Sequence, residues 1–190
     1  MPNRPAAAQM LPLALSVEVF LLGLSVAFGP VASAYTLEGL RWGGNPSSGC
    51  CASFNVQFQT GMVSSDITSW NNGIAAWGGS AANVVYVTRS NSPLVVSDTY
   101  RSDIDWDGLT NYAGSSGQFT SVRAYLNHYY TQSYSATVSQ GVAAHELGHA
   151  VGLGHSAASC ALMLPTTPGR DSCGAWIPKA DDIAGMNSLY

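Results

Sequence analysis

Positive charge is scarce in this sequence: 190 residues carry only 7 Lys+Arg against 11 Asp+Glu, a net charge of −4. No Lys/Arg cluster occurs along the chain, which argues against nucleic acid or an anionic membrane surface as a partner. Charged residues amount to 9% beside 46% hydrophobic ones, the opposite of the balance in disordered chains. No fixed period runs through the sequence, which excludes collagen, coiled coil and repeat arrays. Beyond residue 34 there is no long apolar run, so stable membrane insertion is not expected of that part. Histidine is rare too. There are four, and three of them fall within residues 145–155.

What is present begins with an export signature. Residues 1–34 read as a secretory signal peptide, with Arg4 as basic start, an apolar stretch from Leu11 to Phe28, and Ala32-Ser33-Ala34 as a small-x-small cleavage site before Tyr35. Pro12 and Glu18 interrupt the apolar stretch and leave it short of the roughly 20 residues of a spanning helix. Residues 35–190 are then expected to form one exported, extracellular domain of ordinary size. All four cysteines follow the cleavage site and fit an oxidising compartment.

The patterning of that domain is α+β. Phe54–Phe58 alternates apolar and polar residues, as a half-buried strand does. Ser64-Ser65-Asp66 offers a helix start, Ile67, Trp70, Ile74 and Trp77 follow at helical spacing, and Gly78-Gly79 ends the helix. Asn83–Thr88 and Leu94–Ser97 read as strands, Asp98–Gly117 as a turn-rich acidic stretch, and Ser121–Asn127 as another strand. Thr137-x-x-Gln140 reads as a capping box opening a helix to about Val151. Pro178 to Asp182 marks the start of a last helix, with Ile183, Met186 and Leu189 as its buried stripe. The expected fold is a single twisted mixed sheet with an active-site helix and a C-terminal helix.

Residues 145–155 read His-Glu-Leu-Gly-His-Ala-Val-Gly-Leu-Gly-His, that is H-E-x-x-H-x-x-G-x-x-H. His145 and His149 are one helical turn apart, so both imidazoles leave one helix face and can share a tetrahedral metal. Glu146 sits beside the open coordination position, where it can take a proton from water. Gly152 permits a turn that brings His155 round as third ligand. Three neutral nitrogen ligands with a fourth place left for water describe a catalytic zinc site.

This string resembles the metzincin zinc endopeptidases. Cys160-Ala161-Leu162-Met163-Leu164-Pro165 is similar to their Met-turn, with Met163 beneath the metal. Ser156, together with Asp181-Asp182-Ile183-Ala184-Gly185-Met186 and Leu189-Tyr190, resembles the matrixins, the matrix-metalloproteinase type (peptidase M10). The resemblance implies a zinc metalloendopeptidase acting on protein or peptide substrates as a monomer, with Glu146 as general base. It implies a peptide lying antiparallel along an edge strand at 121–127. It also implies that the residue four before the first histidine, here Gly141, shapes the pocket after the cleaved bond. With Gly141 as an open floor and Leu164, Pro165 and Thr166 as wall, large hydrophobic residues are expected there. Two family features are expected to be missing. The stretch from Tyr35 to Cys50 is short for a cysteine-bearing propeptide, and His128 alone cannot furnish a second, structural zinc site.

Asp103-Ile104-Asp105-Trp106-Asp107-Gly108 resembles the start of a calcium loop, which makes Asp103, Asp105 and Asp107 candidate Ca²⁺ ligands, although the twelfth position is Gly114. Four cysteines allow three connectivities. A Cys160–Cys173 bond would close a short loop, worth about 3 kcal/mol in the chain-entropy account. It would leave Cys50 and Cys51 as a vicinal bridge or two thiols, and crossed pairs stay open. The rival to an enzyme is an inactive metal-binding or interaction protein that keeps the fold. Glu146 separates the two, since a pure zinc binder needs the histidines but not that carboxylate.

Overall fold

Ala52, Phe54 and Val56 are buried while Ser53 and Asn55 are exposed, so the alternation does place one face of β1 (Ala52–Phe58) on the core. The computed structural model describes residues 33–43 and 51–190. The expected signal peptide therefore lies outside the described residues except for Ser33 and Ala34.

Behind β1 follow α1 (Ser64–Gly78), β2 (Val84–Thr88), β3 (Leu94–Thr99), β4 (Gly108–Ser115), β5 (Gln118–Asn127), α2 (His128–Thr131), α3 (Ala136–His149), α4 (Thr167–Cys173) and α5 (Ala180–Leu189). The strands form one five-stranded mixed sheet in the order β2-β1-β3-β5-β4, with β4 antiparallel to β5 and all other pairs parallel. The architecture is α+β with a single sheet, as the patterning indicated.

Two helices build the core against that sheet. Trp70 and Trp77 on α1 are fully buried, and their indole N–H groups donate to the carbonyls of Ser97 (3.1 Å) and Ala144 (2.8 Å). Each is a large apolar payload with a satisfied polar tip, and truncation of such a residue costs about 3–5 kcal/mol. At the crossing of α1 and α3, a Cβ on Gly73 would come within 2.9 Å of the Ala144 amide. Only glycine lets the helices approach so closely. α3 is buried from Gly141 through Gly148, so it is a core helix rather than an amphipathic surface one.

Three expectations need correction. The stretch 98–117 is not all turn, because it contains β4. Its sequence Gly-Leu-Thr-Asn-Tyr-Ala-Gly-Ser has weak strand character, and pairing with β5 (Leu109 opposite Tyr125, Thr110 opposite Ala124) overrides it. In consequence β5 is an interior strand, and β4 holds the edge assigned above to 121–127. The cap of α3 is Ser135, whose hydroxyl accepts from the Val138 amide at 3.3 Å, so Thr137 lies inside the helix.

The cysteines resolve into one of the open schemes. Cys160 and Cys173 are bonded, with their Cα atoms 5.9 Å apart, which excludes crossed pairs involving them. Cys51 is disulfide-bonded as well, while Cys50 lies outside the described residues. Among the described residues no helix is long and apolar enough to cross a membrane.

Candidate active site

α3 ends at His149, and the next turn carries Gly152 at φ +113°. A Cβ there would stand 2.5 Å from the Leu40 carbonyl, so glycine is needed for both conformation and space. The reversal brings His155 back over the helix end. One ring nitrogen each from His145, His149 and His155 then lie within 4.8 Å of one another, the only such group of three His, Cys, Asp or Glu among the described residues.

The hydrogen bonding tests whether a metal fits. Nδ1 of His145 donates to the Leu162 carbonyl at 2.8 Å, and Nδ1 of His149 donates to Leu153 at 2.7 Å with Glu38 at 3.1 Å. With both Nδ1 atoms carrying protons, the two Nε2 lone pairs face each other at 3.0 Å. Two acceptor nitrogens turned towards one another at this distance could share a metal ion between them. Burial above all, and then the Arg170 cation, holds His145 well below the ordinary histidine range. A neutral imidazole is the form in which a histidine could hold a metal. Burial acts likewise on His155, aided by charge on His149. For His149 burial also works downward, but Glu38 and Glu146 outweigh it and raise the ring above its usual value.

Glu146 is 4% exposed and burial pushes its carboxyl up. Its Oε2 accepts from the Thr110 hydroxyl at 2.7 Å. Thr110 lies on β4 and Glu38 on the segment before β1. Neither was recognised in the sequence, because β4 itself was not visible and Glu38 carries no motif.

Met163 is 1% exposed and packs against the helix beneath the histidines at Gly148. The turn that carries it is held by Asp182, fully buried, which accepts from the amides of Leu162 (2.7 Å), Met163 (3.0 Å) and Lys179 (2.8 Å). Ser156 ties the third histidine's loop to the same place, its amide donating to the Met163 carbonyl and its hydroxyl to Asp181 at 2.6 Å.

A cleft of about 760 Å³ opens beside this group, lined by the histidines, Glu146, the first half of β4, and Pro165 to Pro168. Pro165 and Thr166 line this cleft, whereas Gly141 and Leu164 are not among the lining residues. The floor at Gly141 is not open: the Trp176 indole lies against it and occupies the space a side chain would fill. The three aspartates do not converge either. Asp103 is paired with Arg101 at 2.7 Å, which lowers its carboxyl to about 2. Asp107 accepts instead from the hydroxyls of Tyr134 (3.0 Å) and Thr167 (2.5 Å). The calcium expectation gains no ligand cluster from the described residues. His128 pairs with Asp66 at 3.0 Å.

Comparison with known proteins places these features. The matrixin family model (peptidase M10) matches residues 89–190. Matrix metalloproteinase-20 of Homo sapiens is 51% identical over 49 residues, 26% of this chain and 10% of that protein. Matrilysin of Rattus norvegicus is also 51% identical over 49 residues, 26% of this chain and 18% of its own length. Macrophage metalloelastase of Oryctolagus cuniculus is 46% identical over 61 residues, 32% of this chain and 13% of that protein. The matched stretches thus span less than a fifth of these relatives. Among solved structures, High choriolytic enzyme 1, a hatching enzyme zinc-protease from Oryzias latipes, aligns with 14% identity and a TM-score of 0.39, over 62% of this chain and 51% of that one.

Proposed function

The chain belongs to the matrixin family of zinc metalloproteases, and from that premise we propose that it is a secreted zinc-dependent endopeptidase hydrolysing peptide bonds. The observation that carries this reading is the convergence of three imidazole nitrogens within 4.8 Å next to the buried carboxylate of Glu146. In it His145, His149 and His155 hold one zinc ion, which when bound supplies a Lewis acid that acidifies water and polarises the scissile carbonyl.

Glu146 takes the proton of the attacking water on its carboxylate and passes it to the leaving amine. Its burial favours this, because a carboxyl with raised proton affinity is a better base than an exposed one. The Thr110 hydroxyl holds Oε2, which leaves Oε1 to exchange the proton. Met163 gives the histidines a packed base. An extended peptide adds as a strand along the outer edge of β4, whose Gly108–Thr110 stretch lines the cleft. Residues 1–34 serve as export signal, and the Cys160–Cys173 bond suits an oxidising exterior. All ligands and the base come from one chain, so a monomer suffices.

Digestion of casein by the zinc-loaded protein, with metal content measured on the same sample, tests the reading. One zinc per chain with casein cleaved is the expected result. One zinc per chain with casein intact would replace the enzyme by a metal-binding protein that keeps only the fold.

A further inference from the structure

The two halves of the chain that follows Cys160 are held in different ways. Ala161, Leu162 and Met163 are buried, and the Asp182 carboxylate takes the amides of the last two. From Leu164 to Gly174 the chain leaves the core. Arg170 is the one buried residue of that stretch, and it bonds back into it. Its Nη1 donates to the Leu164 carbonyl (2.8 Å) and its Nη2 to the Thr167 hydroxyl (2.5 Å). The Thr166 hydroxyl caps α4 from within the same stretch, accepting from the Gly169 amide at 3.2 Å.

Among the described residues, two polar contacts tie this stretch to other elements. The Thr167 hydroxyl donates to Asp107 at 2.5 Å, and Arg170 Nη1 stands 3.2 Å from His145 Nδ1. The remaining tie is covalent, the bond from Cys160 to Cys173 at the end of α4. Pro165 to Pro168, which line the cleft, lie inside the loop that this bond closes. Cys173 is exposed and Cys160 half-buried, so the bond is within reach of solutes. A segment with so little buried apolar surface opens locally at small cost, and a cross-link restricts that opening. Without the bond, residues 164–174 are free to leave β4, whereas Asp182 still holds Met163.

We propose that the Cys160–Cys173 bond is a site of exchange with small thiols of the glutathione class, whose opening releases the cleft wall and leaves the histidine cluster assembled. The consequence for turnover rests on the peptidase reading above, and the release of the wall does not. A thiolate attacks the exposed Cys173 sulfur, and Cys160 leaves as a thiolate. A second thiolate then attacks the sulfur of the first thiol and frees Cys173. The two cysteines gain two electrons and two protons, and the two small thiols become one disulfide. Oxidised glutathione reverses both steps. A wall no longer fixed must be ordered anew by each peptide that binds, which weakens binding.

The zinc-loaded protein is equilibrated with millimolar reduced or oxidised glutathione, then read by mass, amide hydrogen exchange, zinc content and casein cleavage. Reduced glutathione should add two hydrogens across Cys160 and Cys173 and speed exchange over 164–174 about tenfold or more. Exchange over 142–163 and one zinc per chain should persist, KM for casein should rise about tenfold, and oxidised glutathione should restore all of these. The double variant Cys160→Ala/Cys173→Ala should behave as the reduced protein and ignore glutathione, which separates this bond from that of Cys51. A bond that resists glutathione overturns the proposal, as does unchanged exchange over 164–174 once the bond is reduced. A response that persists in the double variant overturns it too, and so does loss of zinc on reduction. Faster exchange with undiminished casein cleavage overturns the switch and leaves the peptidase reading intact. If neither form cuts casein, the peptidase reading falls, and hydrogen exchange alone then supports or overturns release of the wall.

Discussion

Two segments hold the same three histidines and could hardly differ more as sequence. Residues 142–165 carry a dense pattern, with ligand spacing, a turning glycine and the Met-turn all readable in order. Residues 34–42 carry no motif, yet they clasp the same loop. The Thr36 hydroxyl donates to the His155 carbonyl (2.6 Å), and the Gly154 amide donates to the Thr36 carbonyl (2.8 Å). The Glu38 amide donates to Gly152 (2.9 Å), the Trp42 indole donates to Ala150 (2.9 Å), and the Glu38 carboxylate accepts from His149. The difference teaches that the candidate ligands and their nearest Nδ1 acceptors, Leu153 and Leu162, are written locally, whereas the loop that carries His155 is clasped by residues more than a hundred places away. A helical turn brings His145 and His149 together without help. What keeps their rings oriented is whatever accepts from Nδ1.

That contrast is breakable, and the largest effect belongs to the patterned segment. Glu146→Ala should lower casein turnover about 10²–10⁴-fold while the zinc content stays at one per chain. Retention of most activity would show that another group carries the proton. Removal of metal by a chelator should abolish turnover to the same extent, and zinc should restore it.

Next comes Asp182, which serves the patterned segment from outside it. Asp182→Ala strands three amide donors, and urea unfolding should show a loss of about 3–5 kcal/mol. A loss under 1 kcal/mol would mean that water replaces the carboxylate at little cost. Replacing both Cys160 and Cys173 by alanine should cost about 3 kcal/mol, read the same way.

The strap should matter less for folding than for metal. Glu38→Gln is expected to weaken zinc binding about 10–100-fold in competition with a chromophoric chelator, with little change in secondary structure. Unchanged affinity would reduce the strap to a cover and dissolve the division of labour. The smallest effect is expected at Asp103, which like its partner Arg101 is exposed. Asp103→Ala should leave the melting temperature unchanged with or without added calcium. A calcium-dependent rise in wild type that disappears in this variant would restore the calcium expectation.

The sequence was legible where short-range geometry decides. Helical spacing put Trp70 and Trp77 on the buried face of α1, and alternation put Phe54 and Val56 on the core face of β1. It was opaque where a distant partner decides. Gly108–Ser115 is a strand only because β5 pairs with it, so neither the sheet edge nor Thr110 could be seen from residue types alone. Gly141 looked like an open floor until the fold laid Trp176 across it.

By itself, then, the order of residues determined the candidate ligand set, the candidate base and the turn that brings them together, because all three depend on contacts within about eleven residues. Only the tertiary structure decided what the site is like inside. It took the packing of β4, the strap, α4 and α5 around α3 to bury Glu146 and fix the Nδ1 partners. Burial and counter-charge are sums over neighbours from every part of the chain, and no local pattern records them.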